Sequence, residues 1–284
     1  CLDPIRINLV RMQYKKIILA LLLFITAVSA CKKNNDGGDD PLTNYSFSYS
    51  DSVIYPNGGD LRISPVTPME GTYTAFPEGI ELNESTGEID VSESETGLRY
   101  RITFTPKNST KIYTTTILLA GINYLDAFYF LSKNDTLSKA VYNGDVNRAV
   151  PVSSGKTVFD IDLGCNKEGI AVNIADGTIN LAKTIRNGFF GRHPDNDSRK
   201  EFEMEYKIDD KSKQAKQELK IKLYYYETMA DVPQKYFDLL KDREGTILRS
   251  NGTPGDELIS GVAGITGTAG NARPRPPCIF IIGR

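Results

Sequence analysis

The stretch EGIELNESTGEIDV runs from Glu78 to Val91, and a close copy, EGIAVNIADGTINL, runs from Glu168 to Leu181. The two stretches match without a gap at a constant offset of 90 residues, and they share Glu, Gly, Ile, Asn, Gly and Ile in that order. Self-similarity over fourteen residues predicts two tandem copies of one domain.

Each copy is typical of a strand, a tight turn and a second strand. In the first copy, Ile80 and Leu82 face the core, Asn83 begins the turn, and Ile89 returns to the core by the period-two rule of strands. Glycine tolerates the positive φ that such turns require. The turn positions predicted on this basis are Gly79, Gly87, Gly169 and Gly177.

Alternating apolar and polar residues predict further strands and hairpins. LRYRITFT (98–105) and IYTTTILLAG (112–121) flank the turn PKNSTK, and EFEMEYKI (201–208) and ELKIKLYYY (218–226) flank the charged stretch DDKSKQAKQ. TVFDIDLG (157–164) also alternates, which predicts a strand with Asp160 and Asp162 on its outward face. The fold class expected from these strands is all-β, with two tandem sandwiches.

One segment near the end of the sequence predicts a helix. In DVPQKYFDLLKDREG, Asp231 suits a cap and Pro233 suits the first turn. The predicted organisation is a first sandwich at 45–121, a second at 122–228, a short helix at 229–245, and a mostly disordered Gly/Pro-rich tail at 246–284.

The segment from Pro77 to Ile89, PEGIELNESTGEI, resembles the signature of an Ig-like, cadherin-like domain that occurs in tandem on bacterial surface proteins. The resemblance covers roughly residues 45–121. The second copy departs from it, with Lys167 in place of the proline and Asp176 in place of the threonine. The resemblance implies immunoglobulin-like sandwiches and a surface location, and it brings no catalytic residue.

MQYKKIILALLLFITAVSAC, from Met12 to Cys31, has the charged start, short apolar core and small final residues of a secretory signal. Its Val-Ser-Ala-Cys ending resembles the lipobox of bacterial lipoproteins, which implies lipidation of Cys31; an ordinary signal with an incidental cysteine is the alternative. The resulting segments are a signal peptide at 1–30, within which 1–11 is an over-extended start or a long n-region, and a lipidated tether at 31–44.

This N-terminus implies an outer-membrane lipoprotein in the cell envelope of a Gram-negative bacterium. The acidic residues that follow Lys32 and Lys33 resemble a surface-export signal, although the two lysines come first. Both a periplasmic and a surface-facing location are therefore left open. The formal net charge of −2 argues against a nucleic-acid partner, because polyanion binding needs a basic surface.

The scarcity of His and the spacing of Cys exclude several classes of site. His193 is the only histidine, which excludes a His-rich zinc site, and the four cysteines form no CxxC pair. A disulfide between Cys165 and Cys278 depends on an oxidising compartment and is left open.

Two groups of side chains are candidate ligand contacts. Asp195 and Asp197 lie in one loop beside His193, where their carboxylates either bind calcium or are simply solvated. Tyr224 and Tyr226 fall on the outward face of a predicted strand, where they stack on a sugar or a protein partner unless the helix from Asp231 covers them.

The function expected is non-catalytic: adhesion, scaffolding or surface binding by a lipid-anchored protein without a cofactor. The sequence does not determine the oligomeric state. Its partners are the membrane, through the lipid on Cys31, and a surface glycan or protein. The alternatives are a glycan-binding accessory of an outer-membrane uptake system and a glycan hydrolase, which would use paired carboxylates such as Glu93 and Glu95.

Changing Cys31 to Ser is expected to release the protein from the membrane, because the acyl chains that the thiol anchors provide the membrane affinity. Detergent-phase partitioning of whole-cell extracts measures this, with Asn35→Ser as a control in the same tether. Continued partitioning of the Cys31→Ser chain into detergent would disprove lipidation at Cys31.

Overall fold

The computed structural model describes residues 44–243 and 277–284. It is mainly β, with 35% strand and 13% helix in several sheets, and Ser46–Arg284 form one compact unit. Cys31, the signal peptide and most of the predicted tether and tail lie outside the described residues. Within the described residues, no helix has the length and apolar character needed to cross a membrane.

The first half of the unit contains seven strands in two sheets. A four-stranded sheet has the order β1-β7-β6-β3, with β1 parallel to β7, and a three-stranded sheet has the order β2-β5-β4. The strands are β1 (Val53–Ile54), β2 (Arg62–Ile63), β3 (Gly71–Phe76), β4 (Glu81–Leu82), β5 (Ile89–Asp90), β6 (Leu98–Pro106) and β7 (Tyr113–Leu119).

Strand β6 shows how the alternating pattern builds this core. Its residues alternate between buried and partly exposed along the whole strand, and Leu98, Tyr100, Ile102 and Phe104 are fully buried. The ring of Phe104 stacks on that of Tyr73 in β3, with centroids 4.4 Å apart. The predicted hairpin is confirmed, because β6 pairs antiparallel with β7.

The second half contains nine strands and the three α-helices of the described chain. The strands are β8 (Ile122–Asn123), β9 (Ala127–Phe130), β10 (Leu137–Ser138), β11 (Val141–Tyr142), β12 (Val158–Phe159), β13 (Ile179–Asn180), β14 (Ser198–Lys207), β15 (Gln217–Tyr226) and β16 (Cys278–Ile282). The helices are α1 (Gly164–Lys167), α2 (Leu181–Arg186) and α3 (Gln234–Arg243), with 3₁₀ turns at Leu131–Lys133, Ile161–Leu163 and Met229–Asp231.

A five-stranded sheet with the order β12-β14-β15-β16-β9 dominates this half, accompanied by the two-stranded pairs β10-β13 and β11-β8. The antiparallel pairing of β14 with β15 confirms the second predicted hairpin. The helix predicted at 229–245 is confirmed for Gln234–Arg243, which form α3, whereas Met229–Asp231 form a separate 3₁₀ turn.

The repeated turn is present in both halves with the same backbone hydrogen bonds. In the first, Asn83 N donates to Glu88 O and Gly87 N donates to Asn83 O, each at 2.8 Å. In the second, Asn173 N donates to Thr178 O and Gly177 N donates to Asn173 O, again at 2.8 Å.

Both glycines are required for two reasons. Gly87 and Gly177 have φ values of 73° and 75°, and a Cβ on either would lie 2.6 Å from a ring carbon of Tyr73 or Phe159. A tyrosine hydroxyl also donates to each glycine carbonyl, from Tyr49 to Gly87 and from Tyr124 to Gly177. The predicted repeat therefore extends to the residues packed around the turn.

The prediction of a strand at 157–164 is wrong beyond Phe159. Asp160, Asp162 and Leu163 have positive φ, and the chain turns into α1. The Asp160 carboxylate is 2% exposed rather than outward, because it accepts hydrogen bonds from the backbone N–H groups of Cys165 (2.7 Å) and Asn166 (3.0 Å). Capping of a helix start outweighs the alternating pattern here.

The prediction of a disordered tail at 246–284 is wrong at the end of the segment. Cys278–Ile282 form strand β16, and all five residues are buried. Residues 246–276 of the predicted tail lie outside the described residues.

Gly177→Ala is expected to lower the free energy of unfolding by about 2–5 kcal/mol, combining about 1–2 kcal/mol for positive φ with about 1–3 kcal/mol for overpacking against Phe159. Gly155→Ala is the matched control, since Gly155 has a φ of 70° and a Cβ added there would meet no neighbouring atom within 4 Å. Urea denaturation measures both variants; equal losses would show that the ring contact is unimportant.

Candidate functional site

Strand β16 occupies a slot between β15 and β9 and runs parallel to both. Its register places Cys278 opposite Lys222 of β15, and Phe280 opposite both Tyr224 of β15 and Phe128 of β9. A strand paired on both sides has its backbone N–H and C=O groups satisfied within the sheet. The slot, which is the gap between β15 and β9, is therefore filled by β16 in this structure.

The two faces of β16 pack into two different cores. Ile279 and Ile281 join the large cluster that includes Ile221 and Leu223, whereas Phe280 and Ile282 join a second cluster beneath α3. Burial on both faces explains why CIFII is a continuous apolar run without alternation, which is typical of central parallel strands.

Aromatic rings line the α3 side of the slot. The ring of Phe280 stacks on Tyr224 with centroids 4.6 Å apart, and lies 5.1 Å from the rings of both Phe128 and Tyr236. Tyr236 belongs to α3, so this helix closes the cluster from above.

This packing corrects the prediction that Tyr224 and Tyr226 are exposed stacking residues. Tyr224 is 5% exposed and Tyr226 is fully buried, because Phe280 and Tyr236 cover their rings. The other predicted arrangement, in which the helix that follows Asp231 covers the tyrosines, is the one found.

Polar contacts hold both ends of β16. At its start, Cys278 N donates to the Asp126 carboxylate at 2.6 Å, and Pro277 O accepts from Lys222 N at 2.9 Å. At its end, Gly283 N donates to Tyr226 O at 3.0 Å. These bonds fix the register of β16 along the slot.

The first half lacks an equivalent insertion among its described residues. There, β1 pairs directly with β7, and Val53 lies opposite Leu118. In the second half, β9 corresponds to β1 and β15 corresponds to β7. Strand β9 comes just before the β10–β13 pair along the chain, and β1 likewise comes just before the β2–β5 pair. The second sheet is thus opened by one strand width at the position where the first is closed.

The loop with the candidate calcium ligands Asp195 and Asp197 makes its contacts within the chain. The Asp197 carboxylate accepts two hydrogen bonds from Arg199 Nη2 (2.8 and 2.9 Å) and one from the Tyr226 hydroxyl (2.6 Å). Hydrogen bonds from Arg199 and then from Tyr226 lower the pKa of Asp197. Asp195 accepts through its backbone carbonyl from the Ser198 N–H. Residues 44–243 and 277–284 contain no group of three or more His, Cys, Asp or Glu positioned to hold a metal.

A cleft of about 350 Å³ lies beside α1 and the hairpin. Burial, and then the nearby Asp160 carboxylate, raise the pKa of the Cys165 thiol, so this thiol is neutral and weakly nucleophilic. Cys165 and Cys278 are both reduced thiols, so the disulfide between them, open in the sequence, is not formed here. The cleft is lined by Gly164, Cys165, Glu168, Glu201, Phe202, Glu203 and Lys220.

A buried polar junction joins the two halves. The Tyr206 hydroxyl lies 2.8 Å from the Thr96 hydroxyl, accepts from Ile122 N at 3.2 Å and donates to Gln217 at 2.9 Å. Burial raises the pKa of Tyr206 to about 12, so its hydroxyl stays protonated.

An amide and a carboxylate extend this junction. Asn123 Nδ2 donates to a Glu95 carboxylate oxygen at 2.7 Å, and Glu95 is 4% exposed. In the sequence, Glu95 looks like any of the many acidic residues expected at the surface. Its burial depends on a partner 28 residues away, which alternation does not reveal.

No known family model matches the chain, and no curated protein matches its sequence.

Tyr226→Phe is expected to destabilise the fold by about 1 kcal/mol at neutral pH, because the Asp197 carboxylate loses a hydrogen-bond donor. Tyr225→Phe is the control, since this tyrosine lies on the opposite face of β15 and packs against the larger core. Urea denaturation at several pH values measures the effect.

The difference between wild type and Tyr226→Phe is expected to shrink as the pH falls. The pKa of Asp197 is lowered in the folded state, so its stabilisation is present above the unfolded pKa and is lost as the pH falls through the folded pKa. A difference that stays constant from pH 7 to pH 2 would contradict a contribution from this carboxylate.

Proposed function

We propose that this chain is a non-catalytic, lipid-anchored protein of the Gram-negative outer membrane. In this proposal its two halves are tandem immunoglobulin-like sandwiches that act in adhesion, scaffolding or binding at the cell surface. The observation that carries the proposal is the repeated turn. In both halves it has a glycine, a tyrosine hydroxyl that donates to the glycine carbonyl, and an aromatic ring against the glycine.

The strand arrangement supports an immunoglobulin-like assignment for the first half. Seven strands divide into sheets of four and three, which is the division found in the smaller immunoglobulin-like sandwiches. In the second half, β9, β10 and β12 to β15 follow the same order of pairing, apart from the inserted β16. Two copies of one sandwich provide length and surface, which adhesion and scaffolding need.

The junction supports a role in which the two halves act together. Tyr206, Asn123 and Glu95 are buried and hydrogen-bonded between the halves, and separating the halves would expose these groups or leave them unpaired. A joint of this kind opposes bending, so a force or a bound partner on one half is transmitted to the other. This property suits an anchored surface module.

The expected location is tested on intact cells. Proteinase K added outside is expected to degrade the wild-type protein while a periplasmic marker stays intact, because the outer membrane blocks the protease. A strain that lacks the protein is expected to lose adhesion to a surface or to neighbouring cells, and the wild-type chain should restore it.

Two results would contradict the proposal. Protection of the chain until the outer membrane is opened would remove the surface role. Unchanged adhesion and unchanged envelope integrity in the strain without the protein would remove the adhesive and scaffolding roles.

A further inference from the structure

We propose that β16 is an exchangeable strand, and that the slot between β15 and β9 accepts the β16 of a second copy of this chain. The copies would then be linked by strand exchange, each donating one strand and accepting another. This inference concerns the fold itself, and only the frequency of exchange rests on the proposed membrane anchor.

The slot requires a strand and does not depend on which copy supplies it. An empty slot would expose backbone groups of β15 and β9, together with Leu223 on one face and the aromatic rings of Tyr224 and Phe128 on the other. Filling it with the β16 of another copy gives the same hydrogen bonds and the same apolar contacts. The two arrangements therefore differ mainly in loop-closure entropy, which is the cost of bringing the strand and the slot of one chain together.

The connection between α3 and β16 is long. Because β16 is parallel to β15, the two strands are not joined by a two-residue hairpin. Thirty-three residues, 244–276, separate α3 from Pro277. A chain of this length spans at most about 120 Å, which is ample to reach a neighbouring molecule.

The comparison between the halves also favours exchange. The first half closes its sheet by direct pairing of β1 with β7, so the fold does not need an inserted strand at this position. The second half leaves this position open and fills it with a distant apolar segment that is buried on both faces. Pairing with an added strand at an opened sheet is an established mode of protein association, and swapping of an identical element is an established route to oligomers.

Membrane anchoring would raise the frequency of exchange. The effective concentration of a strand tethered to its own slot is on the order of millimolar or below. A slot is filled by the β16 of another copy about as often as by its own β16 when the local concentration of copies approaches that value. Dense arrays of anchored molecules meet this condition better than a dilute solution.

The natural thiol on β16 allows a specific test. Cys278 lies opposite Lys222, so a cysteine at position 222 would face it across the slot at disulfide distance. One full-length chain carries Lys222→Cys and Cys278→Ser, and a second, with a different tag, keeps Lys222 and Cys278. Neither chain can form the 222–278 disulfide alone, so this bond forms only when the β16 of the second chain lies in the slot of the first.

The Lys222→Cys substitution is mild. Lys222 is partly exposed, and its ion pair with Glu201 is a surface pair worth at most about 1 kcal/mol. The matched control replaces Lys222→Cys with Lys220→Cys, which is two residues earlier on the same face of β15 and precedes the paired register of β16. A single chain with Lys222→Cys and its natural Cys278 confirms that the bond forms.

The two chains are produced together, exposed to oxidant and separated on non-reducing gels. A disulfide-linked species that carries both tags, at least tenfold more abundant than in the Lys220→Cys control, is the expected result. If the single-chain variant forms its internal bond but no doubly tagged species appears at any expression level, β16 fills only its own slot and the proposal is wrong.

Discussion

Insertion of β16 between β15 and β9 is the interaction on which the second half of the molecule depends. The strand completes the hydrogen bonding of the five-stranded sheet and places Ile279 and Ile281 in the large core. On its other face, Phe280 provides the surface on which α3 packs. The sheet, the core and the helix therefore share one short segment that is remote from them in the sequence.

Local packing and long-range closure play separate roles in this fold. Turns at Gly87 and Gly177 form from residues close in sequence and recur with the same bonds, so each half has a locally encoded centre. The junction around Tyr206 and the insertion of β16 connect segments far apart in sequence, and both bury polar or backbone groups that would be costly to leave unpaired. Both connections lie within one compact unit.

The hairpins, the repeated turn and the last helix were predictable because each is encoded by contiguous residues with a clear period or a glycine requirement. The strand CIFII was missed because five apolar residues have no period, and its contact with Asp126 spans 152 residues. Asp160 was misplaced because its capping bonds compete with strand alternation. For Tyr224 and Tyr226, alternation identified the face that they share but not the helix and strand that cover it. Asp197 was identified by residue type, whereas its partners Arg199 and Tyr226 became evident only from the fold.

Native-state hydrogen exchange of the backbone amides of Ile279, Phe280 and Ile281 tests the importance of β16 most directly. If this strand completes the sheet, these amides should exchange with the free energy of global unfolding, as do the central amides of β14 and β15. Exchange with a free energy near zero, like that of a frayed terminus, while the β14–β15 hairpin remained protected, would show that the second half stands without β16 and would contradict the account.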